Sequence, residues 1–132
     1  MSSAPPTEPA GRDRADLPGA AAQVFAVVGG QAAWGVAVLT AYPMVQIACG
    51  LEQPLVVHAV RWVALAVALA ATLTGYRVYR AARVVEAHTD DAGRWRVQRV
   101  RFTGLGGLLL SAAGAFLLVV EDLATWVIDP CL

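Results

Sequence analysis

Three long apolar runs interrupted by one arginine-rich stretch leave this chain few folds to choose from. The runs span about 20–48, 55–79 and 102–127, and roughly 20 apolar residues suffice to cross a bilayer as a helix. Between the second and third lies Arg77–Arg101, which holds Arg77, Arg80, Arg83, Arg94, Arg96, Arg99 and Arg101 against Glu86, Asp90 and Asp91. The pattern predicts an all-α membrane protein with three transmembrane helices and a basic cytoplasmic loop over about 80–101. Of 132 residues, 58% are hydrophobic and 15% charged, against roughly 45–50% apolar in soluble globular chains. Mean hydropathy is +0.57.

Basic loops stay in the cytoplasm. The 49–54 break and the C-terminal residues carry no arginine, whereas the N-terminal tail carries Arg12 and Arg14. With three spans, the count puts the N-terminus in the cytoplasm and the C-terminus outside. Residues 1–19, with Pro5, Pro6, Pro9 and Pro18 and few large apolar side chains, read as a disordered cytoplasmic tail. They are too long and too evenly charged for a signal-peptide n-region. The arginine cluster lies between spans with only Trp95 as a stacking aromatic, which argues against nucleic acid. The expected partners are the lipid bilayer and other membrane-protein subunits.

Small residues recur every fourth position: Ala22, Ala26 and Gly30; Gly29, Ala33, Ala37 and Ala41; Ala64, Ala68 and Thr72; Ala71 and Gly75; Gly107, Ser111 and Ala115. Such rows let helix backbones approach closely in lipid. Pro43 should kink the first helix, because it removes a backbone donor. Tyr76 and Tyr79 fall at the inner interface and Trp126 at the outer one. The second helix can continue to about Glu86, because Arg77, Arg80 and Arg83 recur every three residues with no breaker between them; Thr89–Gly93 is then the turn, and Asp90 or Asp91 is placed to cap the third helix.

The residues that could carry chemistry are few. Cys49 and Cys131 both fall at the outer face, where two cysteines are expected to oxidise. A disulfide between them is preferred to a metal or thiol-exchange pair, since neither lies in a C-x-x-C motif. Arg61, Glu121 and Asp122 are the charges within the apolar runs. At 1.5 Å per residue, Arg61 and Glu121 lie about 9–10 Å from the midplane, both toward the outer face. An ionised side chain at that depth faces a partner or water, so an intramembrane ion pair of Arg61 with Glu121, or with Asp122 one position round the helix, is expected. His58 and His88 fall on opposite sides, which excludes a haem held between them. His58 with Met44 is a weak copper or haem pair. No phosphate loop, catalytic triad or zinc-protease motif is present, and Gly104-x-Gly106-Gly107 reads as a packing feature. Neither cofactor nor catalysis is expected.

The pattern Trp34-x7-Tyr42-x6-Cys49, followed by two spans and a terminal Pro130-Cys131, resembles a group of small uncharacterised bacterial membrane proteins. Their genes tend to sit near those of haem–copper cytochrome c oxidase. Those relatives often carry a His three places after the Trp, where this chain has Ala37. The resemblance implies a bacterial inner-membrane protein associated with the respiratory chain. Two functional expectations follow. One is a non-catalytic membrane subunit or assembly factor of a larger complex, a respiratory terminal oxidase foremost. The other is a homo-oligomeric carrier of protons or small solutes using Arg61, Glu121 and Asp122.

Overall fold

The computed structural model describes residues 17–51 and 55–128. They form three helices: α1 (Ala20–Leu51), α2 (Leu55–Glu86) and α3 (Asp91–Val127). All three are long and apolar enough to cross a membrane, and the chain is a multi-pass membrane protein. At 1.5 Å per residue the helices measure about 48, 48 and 56 Å, well beyond a hydrocarbon core of about 30 Å.

Each helix outruns its apolar run. The basic stretch over 80–101 is mostly helix rather than loop: α2 continues to Glu86, as the arginine spacing predicts, and the Arg94–Arg101 stretch forms the first turns of α3. Arg and Ala are strong helix formers, and nothing between Tyr79 and Glu86 breaks the hydrogen-bond ladder. The turn itself is short. His88 N–H donates to the Val85 carbonyl (3.0 Å), and the Gly93 and Arg94 N–H groups donate to Asp90 O at 3.0 and 3.2 Å. Asp90 is the N-cap residue with an extended backbone, but its side chain makes no cap hydrogen bond. Pro43 lies within α1, which continues through it to Leu51. The tail preceding Leu17 and the Asp129–Leu132 end, including Cys131, lie outside the described residues.

So short a turn forces α2 and α3 into an antiparallel hairpin, and the contacts keep one register along it. A methyl group on Gly104 would meet Tyr79 N at 2.6 Å, and one on Gly75 would meet Leu108 N at 2.7 Å. Farther along, Arg61 lies opposite Asp122. Tyr79 to Arg61 and Gly104 to Asp122 are both steps of 18 residues. Helix α1 returns alongside, parallel to α3 and antiparallel to α2. A methyl on Gly114 would stand 2.7 Å from the Gly30 carbonyl oxygen, and one on Gly107 2.9 Å from Ala26 O. Ser111, fully buried, donates from Oγ to Ala26 O at 2.7 Å.

The small-residue rows are therefore used within the chain. Ala26 and Gly30 meet Gly107, Ser111 and Gly114; Gly29 meets Ala71; Ala37 packs with Ala64, Ala68, Ala115 and Leu118. The bundle's interior is built mainly of Ala, Gly and Val, while Leu39 (75% exposed), Phe102 (78%) and Phe116 (67%) point outward. Lipid provides no hydrophobic drive for helices to associate, so close backbone approach supplies the packing and large side chains face the acyl chains.

Candidate functional site

The end of the bundle farthest from the basic turn carries a polar cluster contributed by all three helices. Sixteen residues separate Arg61 from Arg77 along α2, a rise of about 24 Å. On α2, His58, Arg61 and Trp62 share one face by their three- and four-residue spacing; on α3, Asp122, Thr125 and Trp126 do the same. The hairpin register brings these faces together.

Asp122 is the hub. Its Oδ1 accepts from His58 Nδ1 at 2.7 Å, its Oδ2 accepts from Trp62 Nε1 at 3.3 Å, and Arg61 Nη1 lies 3.9 Å from Oδ1. A carboxylate only accepts, so Nδ1 of His58 carries the proton. The His58 ring also lies 4.9 Å from that of Trp126, tilted by 35°. Arg61 Nη1 donates to the Thr125 hydroxyl and to the Glu121 backbone carbonyl (3.3 Å). Thr125 Oγ1 in turn donates back to the Glu121 and Asp122 carbonyls, both at 2.9 Å. Glu121 takes a different partner: its Oε1 accepts from Trp34 Nε1 of α1 at 2.9 Å.

Arg61, Glu121 and Asp122 thus lie together, but their pairing is asymmetric. Arg61 is within ion-pair distance of Asp122, and it meets Glu121 through the backbone carbonyl rather than the carboxylate. Burying charge in a low-dielectric medium is costly unless each group finds hydrogen bonds. Here no buried side-chain nitrogen or oxygen among the described residues lacks a partner. Arg61 and Glu121 also line a cavity of about 210 Å³ together with Val38, Ala41, Tyr42 and Val45.

Sequence reasoning missed Trp34, His58, Trp62 and Thr125 as members of this cluster. A signal was present in the repeated three–four spacing around Arg61 and Asp122, which stacks their neighbours on the same two faces. Met44 packs against the Ala41–Ala48–Val57 cluster while His58 is engaged by Asp122 and Trp126. His88 lies at the opposite end, in the turn, its Nδ1 donating to Val84 O at 3.0 Å. Cys49 occupies the last turn of α1; its expected partner Cys131 is outside the described residues. No group of three or more metal-ligating side chains occurs among the described residues.

The basic end is organised differently. Arg101 pairs with Glu86 at 2.8 Å and Arg94 with Asp91 at 2.9 Å. Tyr79 lies beneath the guanidinium groups of Arg83 and Arg101, at 6.0 and 5.8 Å from its ring centre. An interfacial tyrosine between two arginines suits the membrane boundary, where amphipathic rings concentrate. No family model matches the chain, and neither does any curated protein or solved structure.

Proposed function

We propose that this chain is a non-catalytic, multi-pass subunit or assembly factor of a larger complex in the bacterial inner membrane, with its N-terminus cytoplasmic and its C-terminus outside. One observation carries the reading. Between α1 and α2 runs an apolar trough of about 1120 Å³, bordered by Val24, Val28 and Val36 on one side and Ala59, Val63 and Val67 on the other. With the small-residue rows used inside the bundle, this trough is the surface left for a neighbouring helix. Its exposed lining includes Ala20, Ala21 and Ala32, small side chains that let a partner's backbone approach closely, the condition for association in lipid.

Support for the orientation comes from the arginine count: seven arginines at the turn end against none in the breaks at the other. A respiratory terminal oxidase is the partner to test first, on the Trp34–Tyr42–Cys49 and Pro130–Cys131 pattern. The carrier reading has less support. Arg61, Glu121 and Asp122 sit at one end, and neither Trp62–Gly75 nor Phe102–Val120 contains an ionisable side chain to continue a path.

Affinity purification of tagged protein from native membranes in mild detergent tests the proposal. A co-eluting oxidase is expected, and Ala32→Phe, which fills the trough from an exposed position, should release it while the tagged chain stays folded. A pure homo-oligomer, unaffected by Ala32→Phe, would overturn the reading.

A further inference from the structure

The polar cluster leaves specific hydrogen-bonding capacity unused. Among the described residues, every hydrogen bond of Arg61 leaves from Nη1. Its Nε and Nη2 therefore retain three donors, since a guanidinium carries five. Glu121 spends Oε1 on Trp34 and keeps Oε2. None of these atoms is a buried orphan, so each reaches open space. The open space that both residues border is the 210 Å³ cavity between α1 and the hairpin.

The charged ends of Arg61 and Glu121 do not close on each other. Arg61 is drawn toward Asp122 and Thr125, and Glu121 toward Trp34. A cationic and an anionic residue thus border one cavity without pairing through their charged ends. A simple anion would suit Arg61 but be repelled by Glu121, and a simple cation the reverse. A ligand carrying both charges a few bonds apart satisfies both.

We propose that the Arg61–Glu121 cavity binds a zwitterionic group with an anion and a primary ammonium adjacent, as in phosphoethanolamine. The phosphate takes the free guanidinium edge of Arg61, whose planar fork matches phosphate oxygens. The ammonium, with three N–H donors, takes Glu121 Oε2. An ethanolamine phospholipid is the favoured source. Arg61 and Glu121 each lie six residues, about 9 Å of rise, from the nearer ends of α2 and α3. Tyr42, which borders the cavity, is 81% exposed on the outside of the bundle. A headgroup can enter there while its acyl chains remain in lipid. The site is on a different flank from the α1–α2 trough and does not depend on a partner subunit.

The purified full chain in detergent is titrated with short-chain phosphatidylethanolamine, phosphatidylcholine and phosphatidylglycerol, and with soluble phosphoethanolamine, reading tryptophan fluorescence and thermal midpoint. Saturable binding of phosphatidylethanolamine, at least ten-fold tighter than of the choline and glycerol lipids, is expected. Phosphatidylcholine offers no N–H, and phosphatidylglycerol no cation. Equally tight binding of soluble phosphoethanolamine would support the same site with a free zwitterion as its source. Glu121→Gln keeps an acceptor for Trp34 and should abolish the preference for ethanolamine. Val38→Phe fills the cavity while leaving every charged residue in place and should abolish binding. Equal binding of all three lipids, no saturable binding at all, or ethanolamine preference unchanged in both variants would overturn the proposal.

Discussion

Replacing Gly114 by alanine tests whether close backbone approach holds the bundle together. The added methyl would stand 2.7 Å from the Gly30 carbonyl oxygen, where an ordinary contact is 3.4–4 Å. The atom in the way is backbone, so no side chain can swing aside. Helices α1 and α3 must part by about 0.7 Å locally, and a gap of 0.5–1 Å forfeits a quarter to a half of each dispersion contact along the seam. Overpacking of this kind costs about 1–3 kcal/mol. Alanine is the better helix former by about 1 kcal/mol, which offsets part of the loss. Gly106 in the same helix isolates that gain, because a methyl there meets nothing within 4 Å. Gly106→Ala should therefore be neutral or slightly stabilising, and Gly114→Ala less stable than it by about 1–3 kcal/mol. Unfolding in mixed micelles by added SDS, followed by tryptophan fluorescence and circular dichroism, measures both. If Gly114→Ala matches Gly106→Ala, the α1–α3 seam is looser than described and the packing argument fails.

Arg61→Leu and Asp122→Leu should each destabilise the bundle by about 3 kcal/mol in the same assay, and the double variant by less than the two together, because each single change strands the other member of the pair; strict additivity would mean that the 3.9 Å approach carries no coupling. A reporter active only outside the cytoplasm should be active when fused after Leu132 and silent when fused at Gly93; the reverse pattern would invert the topology. Alkylation of membranes prepared without reductant, followed by a non-reducing gel, should find no free thiol on Cys49 or Cys131; free labelling of both would remove the proposed disulfide.

The number of helices, their membrane character and the depth of the internal charges could be read from the chain in one dimension. Each depends only on counting residues along apolar runs, and a short turn then obliges the second and third runs to match in depth. That counting placed Arg61 level with Glu121 and Asp122 to within a helical turn. Rotation about the helix axis was beyond it. Successive residues differ by about 100° in a helix, so Glu121 and Asp122 address different neighbours, and only the packed bundle assigns Asp122 to Arg61 and Glu121 to Trp34. The small-residue rows posed the same problem. Their spacing promised close contact, but the packed structure directed Ala26, Gly30, Gly107 and Ser111 against one another and left the α1–α2 trough open. The apolar runs alone understate the helices, because hydropathy falls at the arginines, but the unbroken Arg77–Arg80–Arg83 spacing already carried the second helix to Glu86, where the structure ends it before α3 begins at Asp91. Hydropathy reports where lipid ends, whereas the helix ends where its hydrogen bonds do.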